Sequence, residues 1–152
     1  MAAYTTAIGF NKGAAAPGYN DGRFAFSAVK LDFANIVADR VTAGATALTA
    51  ADTIQVLSLP ANFLILQAGM EVTTAESTNT TATFDLGFTG GSPAAANVFG
   101  NDVACTAGAT ATGLAAPLLI TTADTLDLLL NTAVCTDAVV YVWVVGVYVD
   151  FP

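Results

Sequence analysis

Val139-Val140-Tyr141-Val142-Trp143-Val144-Val145-Gly146-Val147-Tyr148-Val149 is the stretch whose reading decides the fold. Seven of these eleven residues are Val, whose branched Cβ stiffens χ1 and favours the pleated strand over the helix. The apolar run from Ala138 to Val149 is twelve residues long, against about 20 for a helix that crosses a bilayer, so it reads as a buried strand. A strand with one face in water alternates apolar and polar residues, whereas this one is apolar on both faces. One face needs a second sheet. The other, carrying Tyr141 and Trp143 or their alternates, would be an exposed apolar patch unless something sits on it. Cover by the chain's own N-terminal arm and packing of a neighbouring subunit both satisfy that requirement.

Working outward, a period of two appears. Leu64, Leu66, Ala68, Met70 and Val72 take one face against Gln67, Glu71 and Thr73 on the other, the pattern of a half-buried strand. Ala82, Phe84, Leu86 and Phe88 do so against Thr81, Thr83, Asp85 and Thr89, followed by the turn-forming Gly90-Gly91-Ser92-Pro93. Further strands are expected over Phe24 to Phe33, Ile54 to Leu59 (closed by Pro60-Ala61-Asn62), Leu126 to Leu130 (closed by Asn131-Thr132) and Val139 to Val149. Ala94 to Pro117, with no clear period, is expected to be a long excursion holding one or two short strands. Glu, Lys, Arg and Gln occur twice each, too few to clothe long amphipathic helices. The chain reads as all-β, a two-sheet β-sandwich. An Ala-Asp-Thr start at Ala51 and again at Ala123 leads each time into a strand, a turn and a longer apolar strand. Two equivalent hairpins in the two halves of the sandwich would give this echo, and so would chance in so biased a composition.

The chain has 152 residues and a net charge of -8, enough for one domain with a sizeable core. All four basic residues, Lys12, Arg23, Lys30 and Arg40, fall in the first 40 positions, while nine of the twelve acids come later. Residues 1–22 are rich in Gly, Pro, Asn and small residues and read as an irregular N-terminal arm; residues 23–152 form the sandwich domain. The arm's aromatics, Tyr4, Phe10 and Tyr19, must dock, on their own domain or on a neighbour. The first ten residues show neither a basic n-region nor an apolar h-region, so no secretory signal is expected.

There is no His, which removes the usual general base and the commonest metal ligand. The acidity of the chain disfavours a phosphate backbone as partner. Ser27, Ser58, Ser77 and Ser92 have no imidazole to activate them. Gly87, Gly90 and Gly91 lack the spacing and basic residue of a phosphate cradle. Asp124 and Asp127, three apart in a strand, face opposite sides and cannot act as paired carboxylates; they are expected to be solvated or to cap a turn. Threonines 81, 83, 110 and 112 hint at a flat ice- or sugar-binding face, but no fixed-period repeat follows. Asn101 and Asp102 supply too few oxygens for calcium. Cys105 and Cys135 are expected to be free and packed, as in a reducing cytosol, with a disulfide closing the long loop between them as the alternative, and Asn79-Thr80-Thr81 to be a chance sequon. Neither enzyme activity nor a cofactor or metal is expected.

With Asp52-Thr53-Ile54-Gln55-Val56-Leu57-Ser58-Leu59-Pro60-Ala61, Met70-Glu71-Val72-Thr73-Thr74-Ala75, Ala82-Thr83-Phe84-Asp85-Leu86-Gly87-Phe88 and Asp124 before the Val-rich terminal strand, the chain resembles the small jelly-roll decoration, or cement, proteins of tailed-phage capsids. That resemblance implies a jelly roll that sits on the outside of a major capsid shell, often as a trimer, and fastens neighbouring capsomers after assembly in the host cytoplasm. It implies the major capsid protein and further copies of itself as partners, with no nucleic acid and no membrane. Tyr4, Phe10, Lys12, Tyr19 and Arg23 of the arm, with Tyr141 and Trp143, are the expected contact residues. A carbohydrate-binding head-fibre module and a tail or baseplate subunit are the alternatives.

Overall fold

The structure is a computed structural model that describes residues 8–9, 24–89, 96–113 and 116–149. Its elements are β1 (Ile8–Gly9), β2 (Phe24–Asp32), α1 (Phe33–Thr42), β3 (Thr53–Leu59), β4 (Phe63–Thr74), β5 (Thr83–Gly87), β6 (Gly100–Ala104), β7 (Thr110–Gly113), β8 (Leu118–Ile120), β9 (Asp124–Asn131) and β10 (Val139–Tyr148). Sheet one has the order β1-β3-β9-β5-β6, and sheet two β2-β10-β4-β7 with β8 also paired to β4. Setting aside the short β1 and β8, the chain winds between the sheets so that four strands of each interleave in sequence. This is the double-sheet jelly roll, and the all-β sandwich expected from the pattern is what the chain adopts.

The core lies between the sheets. Val140, Val142 and Val144 of β10, Ile65, Met70 and Val72 of β4, and Leu126, Leu128 and Leu130 of β9 are all buried there. The Phe33 and Phe84 rings stack at 5.3 Å, tying α1 to β5. Each such side chain stabilises by roughly 1.5–3 kcal/mol on full burial.

Three local readings are corrected. On β4, Val145 of β10 pairs with Gln67 but Gly146 pairs with Ile65, so Leu66 is the extra residue of a β-bulge. The bulge reverses the phase: Phe63 and Ile65 are buried, and Leu64 and Leu66 turn outward, half-buried. The strand that starts at Phe24 ends at Asp32, whose side chain caps α1 by accepting the Asn35 N–H at 3.3 Å. Phe33 therefore opens a ten-residue helix in place of closing a strand. Phe33, Ile36 and Arg40 face inward on it, and the Arg40 guanidinium donates to the Thr46 carbonyl. The two Ala-Asp-Thr segments are equivalent, but not as hairpins. Each opens a strand of sheet one, β3 or β9, and the chain then crosses to sheet two, β4 or β10; β3 pairs with β9 and β4 with β10, both antiparallel. In line with the missing repeat in the sequence, Thr83 lies on sheet one and Thr110 and Thr112 on sheet two, so these threonines form no common face.

Candidate contact surface

The two outer faces are built differently. On β2 the alternation places Val29 and Leu31, with Ser27, inward, and Phe24, Phe26, Ala28 and Lys30 outward. Phe24 is 77% exposed and Phe26 64%, the reverse of the usual sorting of Phe and Ser. On β10 the outward set is Tyr141, Trp143, Val145 and Val147; Tyr141 is 41% exposed and the others are half-buried. Register brings these into rows. Val147 stands between Phe24 and Leu64, Val145 between Phe26 and Gln67, Trp143 between Ala28 and Gly69, and Tyr141 between Lys30 and Glu71. The first three rows are mainly apolar, and the fourth flanks an aromatic with opposite charges.

Gly69 is what allows Trp143 to lie across the sheet. A Cβ there would stand 2.7 Å from the Trp143 Cζ2 and 2.5 Å from the Ala111 carbonyl, closer than real atoms come. The ring therefore occupies the space that a side chain on β4 would fill.

Sheet one turns the same position of its strands into a closed polar network. The buried Asp127 carboxylate accepts the Thr89 N–H at 3.1 Å, the Thr89 hydroxyl, and the Thr125 hydroxyl at 2.6 Å. Asp127 is thus neither solvated nor a turn cap, contrary to expectation. Asp85 accepts the Asp102 N–H at 2.7 Å, Asp102 accepts the Asn131 amide at 2.7 Å, and the Thr83 and Thr132 hydroxyls share a hydrogen bond at 3.1 Å. Asp124 lies at the start of β9 on the opposite face from Asp127. Burial pushes its carboxyl above the usual range, the Thr125 N–H pulls it down, and the Asp127 charge adds to the rise.

At the end of the sandwich where three connections meet, the buried Glu76 carboxylate accepts the amides of Thr78, Asn79, Thr136 and Asp137 and the Thr136 hydroxyl. Burial pushes its carboxyl up, but the Thr136 and Asp137 amides, with the Cys135 thiol and the Thr136 hydroxyl, outweigh this and hold it well below the usual carboxylate range. Cys105 and Cys135 are free and buried, as expected. Along the open side of the sandwich, a groove of about 230 Å³ runs between β2 and β3, lined by Val29, Leu31, Asn35, Ile36, Ile54 and Gln55 among others. Its rim carries the Lys30–Asp32 pair at 4.0 Å. Among the described residues no cluster of three or more potential metal ligands occurs, and no helix is long and apolar enough to cross a membrane.

Of the contact residues expected from sequence, Tyr141 and Trp143 lie together on the outer face of sheet two, while Tyr4, Phe10, Lys12, Tyr19 and Arg23 lie outside the described residues. Within the arm, Ile8–Gly9 pairs in parallel with Leu57–Ser58 of β3, at the edge of the other sheet. Phe24 and Phe26, the most exposed aromatics described, are absent from that expected set. The available signal was β2 itself, where Phe alternates with Ala and Ser one strand away from a strand that is apolar on both faces.

No protein-family model and no curated protein matches the chain. Solved structures do. The fold is one found in phage capsids. A chain of the acid-stable capsid of Helicobacter pylori bacteriophage KHP30 superposes with a TM-score of 0.58 at 12% identity, over 84% of this chain and 94% of that one. A chain of the cyanophage Pam1 capsid gives 0.55 at 20% identity, over 89% and 92%, and one of the Ralstonia phage GP4 capsid gives 0.55 at 16%, over 95% and 99%. At such low identities the superpositions show a shared fold over most of the chain, and the fold alone.

Proposed function

We propose that this chain is a non-enzymatic decoration protein of a tailed-phage capsid, one that binds the outside of the major capsid shell as a homotrimer and stabilises it. The observation that carries the reading is the outer face of sheet two, where Phe24, Phe26, Tyr141 and Trp143 present aromatic surface to solvent. Monomeric soluble proteins rarely leave such a patch uncovered, and large aromatic residues are the usual anchors of protein interfaces. The capsid chains that share the fold support the same direction.

Size supports attachment to a lattice. Four strands about 4.8 Å apart and nine residues of about 3.3 Å each span a plane roughly 15 by 30 Å. That is below the ~800 Å² per partner of a stable stand-alone complex, so one contact holds weakly and many copies on a repeating surface hold through multivalency. In this arrangement sheet two faces the shell or a neighbouring subunit, and the acidic, self-bonded face of sheet one faces solvent. Residues 1–22 act as a second contact, an arm whose Tyr4, Phe10, Lys12, Tyr19 and Arg23 reach the shell, and residues 23–152 fold without it.

The test is coating of empty capsid shells by the full chain, by a Phe24→Ser/Phe26→Ser variant and by a chain lacking residues 1–22. The reading expects the full chain to co-sediment with shells and each alteration to weaken that at least tenfold while the domain stays folded. Undiminished coating by the truncated chain would remove the arm from the mechanism. Glycan binding with no affinity for shells, or rings and tubes formed by the protein alone, would replace the whole reading with a fibre or tail role.

A further inference from the structure

Cys105 and Cys135 play no part in the contact surface, yet the fold brings them together. Cys105 follows β6 and Cys135 lies in the connection between β9 and β10, thirty positions later. Glu76 ties the two segments together: the Cys105 carbonyl accepts the Glu76 N–H at 2.9 Å, and the Glu76 carboxylate holds the amides of Thr136 and Asp137, the two residues that follow Cys135. The Cys135 thiol is within hydrogen-bonding reach of both the Cys105 thiol and the Glu76 carboxylate. The two sulfurs are thus neighbours before any bond exists between them.

We propose that Cys105 and Cys135 are a latent disulfide, reduced while the chain folds in a reducing cytosol and closed by a small-molecule disulfide once the protein meets an oxidising medium. The chemistry is two thiol–disulfide exchanges. One cysteine sulfur attacks the small disulfide and expels one thiolate; the second cysteine then attacks that mixed disulfide and expels the other. Both cysteine protons pass to the departing thiolates, so the protein loses two electrons and the oxidant becomes two thiols.

Closure is slow by construction. The thiolate is the attacking species, and hydrogen bonding with Cys105, burial and the nearby Glu76 push the Cys135 thiol far above its usual range. Exchange therefore waits on local opening of the loop end, and folding is complete first. The bond then restricts the unfolded chain while leaving folded neighbours where they already stand. The cross-link itself is independent of the shell-binding reading; only its timing, after release from a cell, rests on it.

The full-length protein, purified with reductant and then freed of it, is incubated with oxidised glutathione. We expect a monomer two hydrogens lighter, no thiol titratable after denaturation, and a melting temperature raised by roughly 5–10 °C, all reversed by dithiothreitol. A Cys105→Ser/Cys135→Ala double variant keeps its melting temperature unchanged by the oxidant. The proposal is overturned if both thiols persist when the incubation is repeated in urea below the unfolding midpoint. Glutathione adducts or covalent dimers as the product, or a melting temperature lowered by the internal bond, overturn it equally. A chain that fails to coat shells yet oxidises as described would refute the shell reading and leave the cross-link standing.

Discussion

The outer faces of the two sheets share strand geometry and a common core yet solve opposite problems. Sheet one puts carboxylates and hydroxyls on its outer face and closes them on each other, so that Asp127, 2% exposed, has three donors around it. Sheet two puts aromatics and valines there, and Phe24 and Phe26 remain in solvent. A polar group out of water needs partners of definite geometry, and these the chain supplies itself. An apolar face needs only area, and area can come from another molecule. The difference is one of completeness: one face is closed on itself within the chain, and the other leaves aromatic area in solvent, which the proposed contact would cover.

Substitutions that exchange these properties test the comparison. The largest effect on folding is expected at sheet one. Asp127→Ala strips the acceptor from the Thr89 N–H and from two hydroxyls, and should cost about 2–4 kcal/mol, read as a lower urea midpoint at unchanged slope. The Phe24→Ser/Phe26→Ser variant of sheet two, although it alters far more apolar surface, should stay within about 0.5 kcal/mol of the parent. If the pair unfolds the protein as readily as Asp127→Ala does, the aromatics are core residues and the contact surface lies elsewhere.

The next effect lies where the connections of both sheets meet. Glu76 has a folded-state pKa below its ordinary 4.5, so its contribution is present above that value and is lost as pH falls through and below it. Asp124 works in the other direction: its folded pKa lies above the ordinary 3.8, so protonation near and above that pH favours the folded chain slightly. Stability should therefore change little between pH 7 and 5 and fall steadily below about 4.5 as protonation of Glu76 takes over. Glu76→Gln, which keeps the size but sets an NH₂ against amide donors, should cost roughly 1–3 kcal/mol at pH 7 and flatten the acid limb. Denaturant titrations of both proteins at pH 7, 5, 4 and 3 give the slopes, and an unchanged acid limb in the variant would assign it to other carboxylates.

Much of this was legible in the sequence, for reasons that also mark where it stopped. β10 announces itself because it is a Val-rich run that is apolar on both faces, and β5 because its period of two is unbroken. β4 carries the same signal, but its bulge at Leu66 shifts the phase midway, and no local feature of Ile65-Leu66-Gln67 marks that. The helix at Phe33 was hidden by poor helix formers; beyond its local Asp32 cap it exists through burial of Phe33 and Ile36, which is a tertiary fact. The repeated Ala-Asp-Thr start pointed to an internal equivalence, but whether consecutive strands pair or cross to the other sheet is set by packing. Tyr141 and Trp143 were found as contact candidates because a strand that is apolar on both faces must have a covered outer side. Phe24 and Phe26 were missed because Phe is ordinarily assigned inward, and only the neighbouring strand's register shows that they extend the same face.

The smallest expected effect separates the strong part of the sheet-one network from its margin. The Thr83 hydroxyl bonds to the Thr132 hydroxyl at 3.1 Å and more loosely to Asp102 at 3.4 Å, both at exposed positions, where water can replace either partner. Thr83→Val keeps the shape and strand preference of the side chain and removes only the hydroxyl, so its cost should be below about 0.5 kcal/mol. Asp127→Ala, on the next-but-one row of the same face, removes an acceptor that water does not reach. A ratio of costs of about five or more between the two, from parallel urea unfolding, would show that the closure of this face depends on its buried carboxylate. Near-equal costs would mean that the whole face acts as one cooperative network, and that the exposed hydroxyls are as tightly coupled as the buried ones.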